Sequence, residues 1–187
     1  MNRLKLLVEK LSNYNRVPLD QKGVTMVEAM IVSALVLIGI GSAAYWGDQY
    51  RENNKLGTTQ QAILAINSQT QSKFHQVGHY TDLDNAMAEE MKIFPREMVS
   101  GSGATLVITN RYNGTVTLRE NTGSIYMHDQ VWTNIPNDAC ITLATFAPEK
   151  WLTVDVGGTT IDPTADDAMS DAAAACGTTN TITYTSN

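Results

Sequence analysis

From Ala29 to Gly47 the chain carries no charge, a run long enough to cross most of a bilayer. After it the apolar positions thin to a stripe. Leu56, Ile63, Ile66, Phe74 and Val77 recur at helical spacing, and Thr70 fills the one long gap. No proline falls between Val24 and Phe94. The pattern predicts one helix over residues 24–77, about 80 Å long at 1.5 Å per residue. Its first half, 24–47, is apolar all round and its second half amphipathic. Gly39, Gly41 and Gly57 are the places where it could bend.

Beyond Gly78 the periodicity shortens. Leu83 to Phe94 reads as a short helix stopped by Pro95. Thr105–Thr109 and Thr115–Leu118 alternate on either side of Asn113-Gly114, which predicts a β-hairpin. A third strand is expected through Ile125 to Trp132. Pro136-Asn137-Asp138 is expected to cap a helix from Ala139 to about Phe146. Trp151 to Val156 alternates as a strand ending in Gly157-Gly158. Asp162-Pro163-Thr164 opens an Ala-rich helix to Cys176, and Thr181 to Thr185 closes the chain as a strand. The expected fold class is α+β. A long N-terminal helix packs on an antiparallel head, 78–187, that carries short late helices.

Charge is divided unevenly about the apolar run. Residues 1–23 hold five Lys/Arg against Glu9 and Asp20, and the remainder holds eight against seventeen acidic residues. A basic segment before a span and an acidic one after it put the N-terminus in the cytoplasm and the head outside. An acidic head also argues against direct nucleic-acid binding. Two cysteines, Cys140 and Cys176, in an exported chain read as one disulfide bounding residues 140–176. Leu4, Leu6, Leu7 and Leu11 make one short amphipathic helix that Pro18 stops.

The residues alone leave the N-terminal segment open to more than one reading. Ser42-Ala43-Ala44 offers small residues for signal cleavage, although the basic region is long for a secretory signal. An uncut signal anchor explains the charge asymmetry but not Glu28, a carboxylate at the mouth of an apolar segment. Lys22-Gly23-Val24-Thr25-Met26-Val27-Glu28, followed by the apolar run, resembles the processing site of type IV prepilins. The resemblance implies that an inner-membrane prepilin peptidase removes the leader 1–23 by cutting between Gly23 and Val24. It also implies that Val24 is N-methylated and that Glu28, fifth in the mature chain, serves assembly. Met26, where leucine is usual, is a mild departure.

The leader length, a Val rather than Phe at the mature N-terminus, and two widely spaced late cysteines look like the type IVb subclass. Toxin-coregulated and bundle-forming pilins and the thin-pilus subunits of conjugative plasmids belong to it. The resemblance is specific over about residues 20–50 and rests on architecture beyond them. It implies a pilin fold and a major subunit that polymerises into a filament for adhesion, aggregation or mating contact. Implied partners are further copies of the chain, an assembly ATPase with its membrane platform, and an outer-membrane secretin. The subunit would wait in the inner membrane, head in the periplasm, before joining an extracellular pilus. A minor pilin or a type II secretion pseudopilin is the nearest alternative, and a membrane-anchored binding module that never polymerises is a more distant one.

Other constellations are weaker. His75 and His79 stand at i, i+4 on the expected long helix, a metal clip with no third ligand nearby in sequence. Asp162, Asp166, Asp167 and Asp171 lack the EF-hand spacing and glycine and fit a helix N-terminus better. Asn113-Gly114-Thr115 matches a glycosylation acceptor as well as a turn. Nothing assembles a nucleophile, base and orienter, so neither enzyme activity, cofactor nor metal is expected. The exported protein should begin at Val24, read by intact mass and N-terminal sequencing, and Gly23→Arg should leave uncut precursor. A start at Tyr45 would instead support signal cleavage, and one at Met1 an uncut anchor.

Overall fold

The computed structural model describes residues 51–187. Gly23, Val24, Glu28, the leader 1–23 and the apolar run 24–47 lie outside the described residues. Helix α1 occupies 51–74. Thr59, Ile63, Ile66, Asn67, Thr70 and Phe74 are its buried residues, one face at a period of three to four. Gly57 does not interrupt it. The expected continuation to Val77 does not occur. The amides of Val77 and Gly78 both turn back to the Phe74 carbonyl at 3.0 and 2.9 Å, and Gly78 takes φ +76°, a glycine-terminated end. Val77 is therefore left 56% exposed.

Helix α2, Asn85–Glu90, is shorter than expected. Asp84 caps it by accepting from the Met87 amide at 2.8 Å, and Lys92 leaves helical space at φ 57° before Pro95. Strands β1 (Val99–Ser100) and β2 (Val107–Ile108) pair with each other. The main sheet contains β3 (Val116–Asn121), β4 (Ser124–Pro136), β5 (Thr153–Val156), β6 (Thr159–Ile161) and β7 (Thr179–Ser186). Their order is β3-β4-β7-β5-β6, antiparallel throughout. Helices α3 (Asn137–Ala144) and α4 (Ala168–Ala175) complete the head.

The expected hairpin across Asn113-Gly114 is corrected by this pairing. Residues 107–108 pair with β1, residues 116–121 pair with β4, and one bridge, Thr109–Thr115, joins the two segments. The turn is fastened to β4 instead. Asn110 Oδ1 accepts from the amides of Tyr112 and Gly114, and Asn110 Nδ2 donates to the Thr133 carbonyl at 2.8 Å. A Cβ on Gly114 would collide with that same carbonyl oxygen, so the close approach admits only glycine.

Gly157 and Gly158, at φ 61° and 95°, form a two-residue turn that folds β6 back on β5. The sequence pattern predicts no strand there. The Ala-rich helix starts at Ala168, not near Asp162, because the Asp162 carboxylate holds the Thr164 amide and hydroxyl at 2.9 and 2.6 Å in a turn. Pro136 occupies the N-cap of α3 with no side-chain cap, so Asn137 and Asp138 do not cap it.

Register assigns the sheet faces. His128, Gln130 and Trp132 of β4 stand opposite Ser186, Tyr184 and Ile182 of β7. Val116 and Leu118 continue the row on one side, and Val154, Val156 and Ile161 on the other. All of them are buried. Gly114→Ala should lower stability by about 2 kcal/mol or more through overpacking against backbone. Gly57→Ala, with open space around its Cβ position, should raise it by about 1 kcal/mol. Thermal unfolding of the two variants reads the opposite signs.

Candidate functional site

The seam between α1 and the inner face of β4 is polar at its centre. Asn67 Oδ1 meets His128 Nε2 at 3.0 Å with both residues buried. A carbonyl oxygen accepts only, so the ring proton sits on Nε2. Nδ1 is left with no hydrogen-bond partner. Tyr80 lies against the imidazole, centroids 4.6 Å apart, and Phe74 against Tyr80 at 5.2 Å. Burial pushes the imidazole pKa down to about 4, and neighbouring Asp129 opposes this only in part. His128 is thus neutral at pH 7. Gln71 of α1 donates to Ser186 Oγ at 3.1 Å and to the Asn187 carbonyl at 2.6 Å, which ties the end of β7 to the same helix.

Toward the N-terminal side of the described helix, the polar atoms of Thr59, Gln130 and Trp132 are buried without partners. Each such group costs about 1–3 kcal/mol if nothing answers it. Sequence reasoning predicts this segment simply as a strand. The missed signal was His128 and Gln130 alternating with Trp132 on one face.

Cys140 and Cys176 are bonded, with Cα atoms 6.0 Å apart and a sequence separation of 36. Both are buried. Cys140 sits in the first turns of α3 and Cys176 at the residue after α4, so the bond fastens one late helix to the other. Closing this loop stabilises the head by about 4 kcal/mol in the chain-entropy account. Tyr184 of β7 donates its hydroxyl to the Leu143 carbonyl of α3 at 3.0 Å, and Trp151 packs on Tyr184 at 4.8 Å. The disulfide-bound helices are thereby held to the inner face of the sheet.

His75 and His79, the weak candidate pair, do not stand on a helix, because α1 ends at 74. Among the described residues no group of three or more His, Cys, Asp or Glu is arranged to hold a metal ion. Asp171 lies in the first turn of α4, and Asn113 is exposed at its turn with φ 60°. No described helix is long and apolar enough to cross a membrane.

A mixed α+β head of antiparallel sheet, short helices and one late disulfide thus follows a helix with one buried face. Residues 52–187 match the family described as PilS N terminal. The chain belongs to that pilin-related family, and the protein is pilus-related. A comparison with curated proteins finds no match.

The titration of His128 sets an acid limit on the seam. An ordinary His binds a proton near pH 6.5 when the chain is unfolded, whereas the folded imidazole resists until about 4. Stability from the neutral imidazole is complete above pH 6.5 and drains away as pH falls from 6.5 to 4, by about 3 kcal/mol. Denaturant unfolding at pH 7 and pH 4 should show this difference in the natural chain and a smaller one in His128→Gln.

Proposed function

We propose that this protein is the major structural subunit of a type IVb pilus, without enzymatic activity, that polymerises into a surface filament. The observation that carries the reading is the order of two features along the chain. A pilus-related family match begins at residue 52, directly after a segment with Gly23, Val24 and Glu28 at prepilin spacing and an uncharged run from Ala29 to Gly47. The widely spaced cysteines and the Val at position 24 favour the type IVb subclass.

In this reading a prepilin peptidase cuts after Gly23, where a residue without a side chain lets the backbone run extended into a protease. The new amine of Val24, methylated, then lies one helical turn from Glu28. An unpaired carboxylate in hydrocarbon costs a few kcal/mol. A neighbouring subunit that presents an amine at the right height relieves that cost, and Glu28 becomes the register pin of the stack. The uncharged helix leaves lipid and packs against its copies. An assembly ATPase with its platform drives the transfer, and a secretin passes the filament through the outer membrane.

Glu28→Ala should yield subunits that are cleaved, stable and held in the inner membrane, yet incorporated into filaments at least about tenfold less often. Co-expression with the natural chain, followed by mass spectrometry of sheared filaments, measures the ratio. Mutant filaments of normal number and length would return Glu28 to an unexplained charge.

A further inference from the structure

A cavity of about 370 Å³ opens where the end of α1 meets the first residues of β4, a volume in the range of small-molecule sites. Three contacts assemble it. The Tyr80 amide donates to the Ile125 carbonyl at 2.7 Å, which sets the chain after α1 beside the start of β4. Phe74 packs on Tyr80, ring centroids 5.2 Å apart. Gln71 donates to the Asn187 carbonyl at 2.6 Å and brings the residue after β7 to the same wall.

Its lining differs in kind from that of other cavities on the head. Those hold ionised side chains: Glu97 and Arg111 in one, Glu52, Lys55 and Asp138 in a second, Glu89, Lys92 and Arg96 in a third. No Asp, Glu, Lys or Arg side chain lines this one. Tyr126 does, and it is 64% exposed, so much of an aromatic ring stands bare beside polar groups that are open and unspent. Gln71 Oε1, His79 Nε2 and the Tyr80 hydroxyl have no hydrogen-bond partner, and none of the three is buried, whereas His79 Nδ1 is. His75, exposed, adds a second imidazole. An amide oxygen accepts, while a neutral imidazole and a phenol both donate and accept. The set matches a ligand with no charge, several hydroxyl groups and one apolar face. A sugar ring has all three, and its C–H face can lie on an aromatic ring.

We propose that this cavity binds an uncharged saccharide. A sugar ring stacks on Tyr126, and its hydroxyl groups bond to Gln71, His75, His79 and Tyr80. The site belongs to the head alone and requires nothing of polymerisation.

Saturation-transfer NMR on the full chain in lipid nanodiscs tests it. The probes are the methyl glycosides of glucose, galactose, mannose and N-acetylglucosamine. At least one should bind saturably, with transfer strongest at the C–H groups of one ring face. Tyr126→Ala should weaken that binding about ten-fold, whereas Tyr126→Phe, which keeps the ring, should bind nearly as well as the natural chain. His75→Ala should weaken it about five-fold. Both altered side chains are exposed, and an unchanged melting temperature reports an intact head. The proposal is overturned if no glycoside saturates, if Tyr126→Ala binds as the natural chain does, or if Tyr126→Phe loses as much as Tyr126→Ala. Acetyl-prolyl-prolinamide, an uncharged peptide, should fail to displace the glycoside. Displacement at equal or lower concentration would assign the cavity to a protein partner, and that too overturns it.

Discussion

The register of α1 on β4 is the constraint from which the rest of the head is built. Ile63, Ile66 and Phe74 supply apolar area, and full burial of side chains this size is worth about 1.5–3 kcal/mol each. Apolar contact alone, however, tolerates a helix that slides by a turn. The Asn67–His128 hydrogen bond does not. Displacing it strands an amide and an imidazole in a buried seam, and the seam already contains unpartnered atoms. Register along the helix thus follows from polar groups, and adhesion from apolar ones.

Once β4 is placed, the other strands follow from its two ladders. Its thirteen residues pair with β3 on one side and β7 on the other. The edge at β3 is closed by side-chain chemistry. Asn85 Nδ2 donates to the Val116 carbonyl, and Asn85 Oδ1 accepts from the Leu118 amide at 2.7 Å, so α2 covers the open hydrogen-bonding groups of an edge strand. On the outer face, Asp129 accepts from Asn121 and Thr185 and meets Arg119 at 3.5 Å. Arg119 is half-exposed, so that ion pair contributes little. The two neutral donors explain better why a carboxylate sits buried between three strands.

What was legible in the sequence was what repeats. The stripe on α1, the late cysteines and the alternation of β7 each announce themselves over several positions, and the structure follows them. The errors cluster where one or two atoms decide. Asn113-Gly114 has the composition of a hairpin turn, but the contact of Gly114 with the Thr133 carbonyl and the three hydrogen bonds of Asn110 direct it onto β4. Strand β6 is only three residues long and gives no alternation to read. In β4 hydrophobicity misleads: Ile125 and Tyr126 are exposed while His128 and Gln130 are fully buried. Their environment comes from α1, more than 50 positions away in sequence, so no local pattern reveals it. The proposed processing residues Gly23 and Val24 and the proposed assembly residue Glu28 lie outside the described residues and rest on a motif, since the chemistry proposed for them would depend on a protease and on neighbouring chains.

If the chain polymerises as proposed, the division of faces on α1 restricts where the polymer could find its driving force. The buried face is spent on the sheet. Past its first turns, α1 is exposed at Gln61, Ala65, Ser68, Gln69, Ser72 and Lys73. The large exposed apolar side chains among the described residues are Val77, Val107, Ile125, Tyr126, Leu152 and Met169, and none of them lies on α1. A face of glutamines, serines, alanine and lysine buries little apolar area against a partner and loses side-chain entropy in doing so. If copies associate through the segment before α1, the apolar area has to come from the uncharged run between Ala29 and Gly47. In lipid, however, such a run is as content as in a bundle. Apolar contact therefore cannot by itself favour the filament over the membrane, and a polar group must. Glu28 and Asp48 are the acidic residues at the two edges of that run. In the proposed reading Glu28, one helical turn from the new amine of Val24, is the one that serves, so the proposed function turns on that carboxylate and not on the larger apolar surface beside it.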